Sequence, residues 1–224
     1  PSTGLSDATV SNATATETAT TTYTLKATNT ASGCIATDSV VVTVDFTAPT
    51  VDAGTDFTKT CVINPTGLQI GATAVAGVTY AWTPATGLSD ATVSNPTANP
   101  TATTTYTVTA TNTASGCSVT DTVVVTVNLT TPTANAGTDF SMSCSLNSGG
   151  LEIGSAAEAG TIYSWTPSAG LSFDVISNPI ANPTVTTTYT VTATNKVSGC
   201  SSTDSVTVTV DLTAPVANAG TDFT

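Results

Sequence analysis

The chain copies itself at a fixed interval of 83 residues, and that interval restricts its possible folds more than any local feature. Tyr23, Tyr106 and Tyr189 keep the interval, as do Cys34, Cys117 and Cys200. Cys61 with Cys144 and Trp82 with Trp165 keep it too. The run Ala53-Gly54-Thr55-Asp56 returns at 136–139 and again at 219–222. Residues 1–49 laid on 84–132 without a gap give 37 identities in 49, and 84–132 laid on 167–215 give 34 in 49.

The phase of the repeat sets the domain reading. Pro1 aligns with Pro84, just after Trp82-Thr83, so the sequence opens inside a unit. Residues 1–49 are expected to be the C-terminal part of a repeat, 50–132 and 133–215 two complete repeats, and 216–224 the start of the next. With neither an initiator Met nor a signal peptide, the segment is expected to hold neither end of its parent. Junctions fall at Thr47-Ala48-Pro49, Thr130-Thr131-Pro132 and Thr213-Ala214-Pro215. A proline there ends the preceding strand and stiffens the link, which predicts a semi-rigid rod of units.

Within each unit the hydrophobic period is two. In the middle repeat Leu68, Ile70 and Ala72 alternate with polar or small residues. Val78, Tyr80 and Trp82 follow, then Tyr106, Val108 and Ala110, then Val123, Val125 and Val127. The third repeat keeps Val206, Val208 and Val210 but replaces Val124 by Thr207, which assigns Val124 to the outward face. Thr makes up about a quarter of the chain. With Val it favours strands, and the 11 Pro and 16 Gly punctuate them. Mean hydropathy is +0.21, too high for a solvated disordered tail.

A buried Trp on an early strand and a Tyr on a late one suit two packed sheets. The predicted fold class is therefore all-β, a tandem array of immunoglobulin-like β-sandwich repeats with Trp82, Trp165, Tyr23, Tyr106 and Tyr189 in the core. Thr103, Thr104 and Thr105 with Thr107, Thr109 and Thr111 form a threonine ladder, read first as a solvent-facing strand surface. The alternative is a hydroxyl-rich face for glycan attachment or contact.

Charge excludes several classes of partner. Net charge is -12, with only 3 Lys and Arg in all, so nucleic acid has no basic surface to meet. No apolar run reaches the ~18 residues of a membrane span, and direct membrane insertion is not expected. Without histidine, neither a Ser-His-Asp nor a Cys-His catalytic arrangement can be built. Glu17, Glu152 and Glu158 occupy no equivalent positions, which argues against a paired-carboxylate site and an enzyme. Asp52, Asp56, Asp90 and Asp121 could supply oxygens to calcium, yet no dense acidic loop surrounds them. Of these, Asp56 recurs as Asp139 and Asp222, and an Asx turn accounts for one carboxylate per unit. No metal or other cofactor is expected. The sequons at Asn12 and Asn128 have no counterparts in other units.

Five cysteines without a C-x-x-C pair point to disulfides rather than metal. Three pairings stay open. Bonding within a repeat gives Cys61–Cys117 and Cys144–Cys200, with the partner of Cys34 upstream. Bonding across the junction gives Cys34–Cys61 and Cys117–Cys144, with Cys200 left over. A sandwich that puts the first strand's end and the last hairpin turn at opposite poles instead favours Cys61 with Cys200.

Several motifs together carry a resemblance. They are A-G-T-D near each unit start, Y-A-W-T-P-A-T-G-L-S from Tyr80, N-P-T-A-N-P-T-A-T-T-T-Y-T-V-T-A-T-N from Asn95, and S-G-C-S-V-T-D from Ser115. The whole chain is similar to the polycystic-kidney-disease-like, immunoglobulin-like repeats of Bacteroidetes surface proteins, above all the SprB-type gliding-motility adhesins. That resemblance implies export across the outer membrane and display as an extended filament. Neighbouring repeats would be its direct partners, and a surface or glycan target would be met by other parts of the parent. Asp38-Ser39-Val40, Asp121-Thr122-Val123 and Asp204-Ser205-Val206 are similar to the Bacteroidetes O-glycosylation acceptor. This makes Ser39, Thr122 and Ser205 candidate sugar sites, with each valine turned inward and each hydroxyl outward. The plainer reading is an Asp closing a hairpin turn. The competing function is a spacer or carbohydrate-binding module of a secreted polysaccharide-degrading enzyme. A third possibility is lateral association of the units into a fibre through their Thr-rich faces.

Overall fold

The computed structural model describes residues 1–220, so Asp222 and the end of the 216–224 segment lie outside the described residues. These fold into strands and turns without a helix. In the first, partial repeat lie β1 (Thr21–Thr28) and β2 (Ile35–Val42). The middle repeat carries β3 (Phe57–Lys59), β4 (Leu68–Gln69), β5 (Val78–Thr83), β6 (Thr97–Ala98), β7 (Thr104–Asn112) and β8 (Ser118–Val127). The third carries β9 (Phe140–Ser143), β10 (Leu151–Glu152), β11 (Thr161–Thr166), β12 (Ile180–Ala181), β13 (Thr187–Asn195) and β14 (Ser201–Asp211). Strands β4 to β7 and β10 to β13 keep the 83-residue interval at both ends, while β9 and β14 each run one residue further than β3 and β8.

Packing divides the chain into two compact units, which do not coincide with the sequence repeats. Among the described residues one comprises 1–55, 69–98 and 105–124; the other comprises 56–68, 99–104 and the residues from 125 on.

The second unit contains a four-stranded sheet in the order β11-β13-β14-β9. Antiparallel pairing sets Trp165 opposite Val191 and Tyr189 opposite Val206. At the edge β9 runs parallel to β14, with Phe140 opposite Val208. Strands β10 and β12 form a small separate sheet. Between these layers lie Met142, Ile153, Trp165, Tyr189, Val191 and Val206, all buried. The same parallel addition occurs for β3, whose Phe57 pairs with Val125 at the end of β8.

In the first unit β5 pairs antiparallel with β7, placing Trp82 opposite Val108. Strands β1 and β2 form a two-stranded ladder from Thr21↔Val42 to Thr28↔Ile35. Strand β7 shows why this sequence makes these strands. Tyr106, Val108 and Ala110 are buried, while Thr107, Thr109 and Thr111 between them are half-buried. β-Branched threonine supports the extended backbone and leaves its face polar. The threonine ladder is thus less open to solvent than the sequence reading expects.

Two further expectations are corrected. Of Leu68, Ile70 and Ala72 only Ile70 is buried; Leu68 is 44 % exposed. The period of two breaks because Gly71 turns the chain with φ of 79°. A Cβ there would lie 2.1 Å from the Ser94 carbonyl oxygen and 2.9 Å from the Trp82 ring. Gly154 repeats this close approach against Ser177 and Trp165. Val40, expected to point inward, is 60 % exposed because its hairpin lies in a sheet of only two strands.

Candidate functional site

Each repeat is fastened by the same small set of polar bonds. The Tyr23 hydroxyl donates to the Thr3 carbonyl at 2.7 Å, Tyr106 to Thr86 at 2.8 Å and Tyr189 to Ala169 at 2.7 Å. Tyr23 also bonds the Glu17 carboxylate. These tyrosines bury their rings while their hydroxyls stay satisfied, as a buried phenol requires. Burial pushes the Tyr189 phenol above its ordinary pKa, against an opposing hydrogen bond with Thr187. Trp82 and Trp165 are buried likewise, donating their indole N–H to Val93 and Ile176 carbonyls at 2.9 Å.

The D-[ST]-V triplets do work that sequence reading missed. Asp121 accepts the Ala53 backbone N–H at 2.8 Å, and Asp204 accepts that of Ala136 at 2.8 Å. Both carboxylates sit on strands, within β8 and β14, so neither closes a hairpin turn. Each ties down the Ala-Gly-Thr-Asp run of its own repeat, whose alanine is fully buried. The Ala53 N–H first, and the Thr122 N–H second, hold Asp121 below the usual carboxylate range. Ser39, Thr122 and Ser205 are exposed, while Val123 and Val206 are buried. The recurrence of Asp and Ala 68 residues apart was the available signal for this bond.

Other carboxylates are engaged in local turns. Asp52 accepts the Gly54 N–H at 2.8 Å, and Asp90 accepts both the N–H and the hydroxyl of Thr92. Asp139 instead accepts the Thr207 N–H of β14, 68 residues away, at 2.8 Å, which is a bond across the repeat rather than the Asx turn expected there. No group of three or more His, Cys, Asp or Glu side chains placed to hold a metal occurs among the described residues.

At the junctions a second recurrent arrangement appears. Asn112 folds the turn after β7 by accepting the N–H groups of Ala114 and Ser115. Asn195 does the same for Val197 and Ser198 after β13. The serine of each turn then reaches the end of the preceding repeat. Ser115 donates to the Thr47 carbonyl at 2.8 Å, and Ser198 to the Thr130 carbonyl at 2.6 Å. Ser202 adds a bond to the Pro132 carbonyl at 2.7 Å. The sequence signal is N-x-x-S-G-C, present three times, in which the asparagine and serine carry the turn and the junction beside the cysteine.

Beside the second of these turns lies a disulfide. Cys61 is bonded to Cys200, 139 residues later, with Cα atoms 5.1 Å apart. The Cys61 N–H donates to the Ser198 carbonyl at 3.1 Å, so backbone and bridge act at one place. Pairing within a repeat, Cys61–Cys117 and Cys144–Cys200, is not formed, and neither is pairing across the junction. The physical reason is position: Cys61 follows β3, and the turn that meets it belongs to the next repeat. Cys34 and Cys144 are exposed free thiols, and Cys117 is a half-buried one.

No protein-family model matches the sequence, and no curated protein does. Among solved structures, mouse clustered PcdhgC3 EC1-3 is similar at 13 % identity and a TM-score of 0.39, covering 86 % of this chain and 77 % of that one. Drosophila N-cadherin EC1-4 is similar at 13 % identity and a TM-score of 0.39, covering 89 % and 68 %. Titin domains I67-I69 are similar at 14 % identity and a TM-score of 0.43, covering 86 % and 75 %.

Proposed function

We propose that this chain is a structural segment of a large filamentous cell-surface adhesin, of gliding-motility type, in which the repeats hold an adhesive element elsewhere in the parent away from the cell. The observation that carries the reading is the Cys61–Cys200 bridge, which ties one repeat covalently to the next. Such a bond persists in oxidising surroundings outside the cytoplasm and resists separation of neighbouring domains. A rod needs copies of its unit, whereas an active site does not. The recurrent aromatic rings are committed to the core, since Trp82, Trp165, Tyr106 and Tyr189 are buried, and the exposed Phe46 and Phe173 have Leu129 and Asp90 at their counterpart positions, so they do not build a repeated face. The exposed hydroxyls of Ser39, Thr122 and Ser205 are the places where sugar would be attached in this reading.

The test is mass spectrometry of the non-reduced native protein together with antibody labelling of intact cells. Surface labelling, a much longer parent and added mass at Ser39, Thr122 and Ser205 are expected. An unmodified chain joined to a catalytic domain and released into the medium would replace the stalk with the spacer of a secreted enzyme.

A further inference from the structure

The turns after β7 and β13 are built alike but carry different neighbours. In both, the Asn N–H donates to the cysteine carbonyl at 2.9 Å, and the cysteine N–H bonds the serine hydroxyl at 3.2 Å. Both serines hold the preceding repeat at the same carbonyl, Thr47 in one case and Thr130 in the other. Yet at Gly199 an added Cβ would stand 2.7 Å from Val62, while at Gly116 nothing lies within 4 Å. Cys200 is 2 % exposed and bonded; Cys117 holds a free thiol. At the other half of the bridge, Cys144 is the counterpart of Cys61 and is exposed and free.

We infer that Cys117 and Cys144 are each one half of a further copy of the Cys61–Cys200 staple, whose other half belongs to an adjoining copy of the repeat. The inference rests on reading the chain as part of a longer tandem array. Cys144 takes the hairpin cysteine of the repeat that follows its own. Cys117 takes the first-strand cysteine of the repeat before its own, and Cys34 is a hairpin cysteine of the same kind. Because both junctions already share the serine-to-carbonyl bond, the open turn at Gly116 presents Cys117 as Cys200 is presented to Cys61. The bridge spans 139 residues, more than one period, so consecutive staples overlap and every junction of an array falls inside one.

The chemistry is ordinary thiol–disulfide exchange. A cysteine thiolate attacks a small-molecule disulfide such as oxidised glutathione, releasing one glutathione thiol. The second cysteine thiolate then displaces the other glutathione from the mixed disulfide. Two protein thiols are oxidised, and one glutathione disulfide is reduced to two thiols.

The experiment inserts a duplicate of residues 133–215 directly after Pro215 in the full chain. Both chains are oxidised with a glutathione couple, alkylated and digested without reduction, and the linked peptides identified by mass spectrometry. In the original chain the expected result is Cys61 joined to Cys200, with Cys34, Cys117 and Cys144 alkylated. In the extended chain Cys144 changes from alkylated to joined, with the duplicate's counterpart of Cys200 as its partner. Replacing Cys144 by Ser in the extended chain should leave that counterpart alkylated while Cys61–Cys200 persists. Cys144 joined to Cys200, or to Cys117, would overturn the inference, as would Cys144 remaining alkylated in the extended chain. None of these outcomes depends on surface display, so failure of the staple and failure of the stalk reading are distinguishable.

Discussion

The hairpin β1–β2 and its counterparts β7–β8 and β13–β14 share most of their sequence but differ sharply in burial. Leu25 is 55 % exposed, whereas Val108 and Val191 at the same repeat position are 1 % exposed. Val40 is 60 % exposed, whereas Val123 and Val206 are fully buried. The register is nonetheless the same: Tyr23 faces Val40 just as Tyr189 faces Val206. Pairing of these strands is therefore specified locally, by the turn and by the alternation of Thr with apolar residues. Burial is not local. The counterparts lie in sheets of four, with a Trp-bearing strand on one side and a parallel first strand on the other. Tyr23 alone keeps its place at 6 % exposure, because its hydroxyl is tied to Thr3 within the same partial repeat. A shallow groove of about 290 Å³ beside it is lined by Leu5, Val10, Leu25 and Val40.

The largest effect that sharpens this comparison belongs to the tryptophan. Trp165→Ala should cost the third repeat about 3–5 kcal/mol in chemical denaturation, since it removes a buried ring and leaves the Ile176 carbonyl unbonded. A smaller but cleaner pair follows from like residues in unlike surroundings. Val206→Ala should cost about 2 kcal/mol, while Val40→Ala should stay within about 0.5 kcal/mol. Equal costs would break the claim that the missing sheet neighbours account for the exposed hairpin.

Much of this was legible in the sequence. The period, the strands around Tyr106 and Tyr189 and the burial of both tryptophans follow from repetition and from alternation with a period of two. Three things were not. Leu68 and Ala72 escape burial because Gly71 bends the chain against Trp82, a steric fact that no periodicity reports. Asp121 and Asp204 resemble turn residues until the fold brings the Ala53 and Ala136 N–H groups to them from 68 residues away. The bridge was one of three open pairings, and only the stacking of one repeat's turn on the previous repeat's first strand selects it.

Removing the tyrosine hydroxyl tests the part of the repeat that is local. Tyr189→Phe should cost about 1 kcal/mol by leaving the Ala169 carbonyl unbonded. Acid should weaken the first unit by a smaller amount. Asp121 has a lower pKa folded than unfolded, so its contribution is complete above the unfolded value of ~4 and is lost as pH falls through the folded one. Melting temperature should therefore drop as pH is lowered below about 4, and Asp121→Asn should flatten part of that drop. The smallest change is expected at Lys59, buried with its ammonium on the Pro100 carbonyl at 2.9 Å. The third repeat has Met142 there, also buried, so Lys59→Met should leave the melting temperature equal or slightly higher.

The central claim, that consecutive repeats are locked by a bond between Cys61 and Cys200, is most directly tested by pulling single molecules from their two ends. In the oxidised chain the residues between the two cysteines should contribute nothing to the extension. Adding a reductant should release a further length of about 470 Å at full extension, from the 139 residues the bridge encloses. A contour length unchanged by reductant, or a shorter gain matching separate loops within each repeat, would contradict the account.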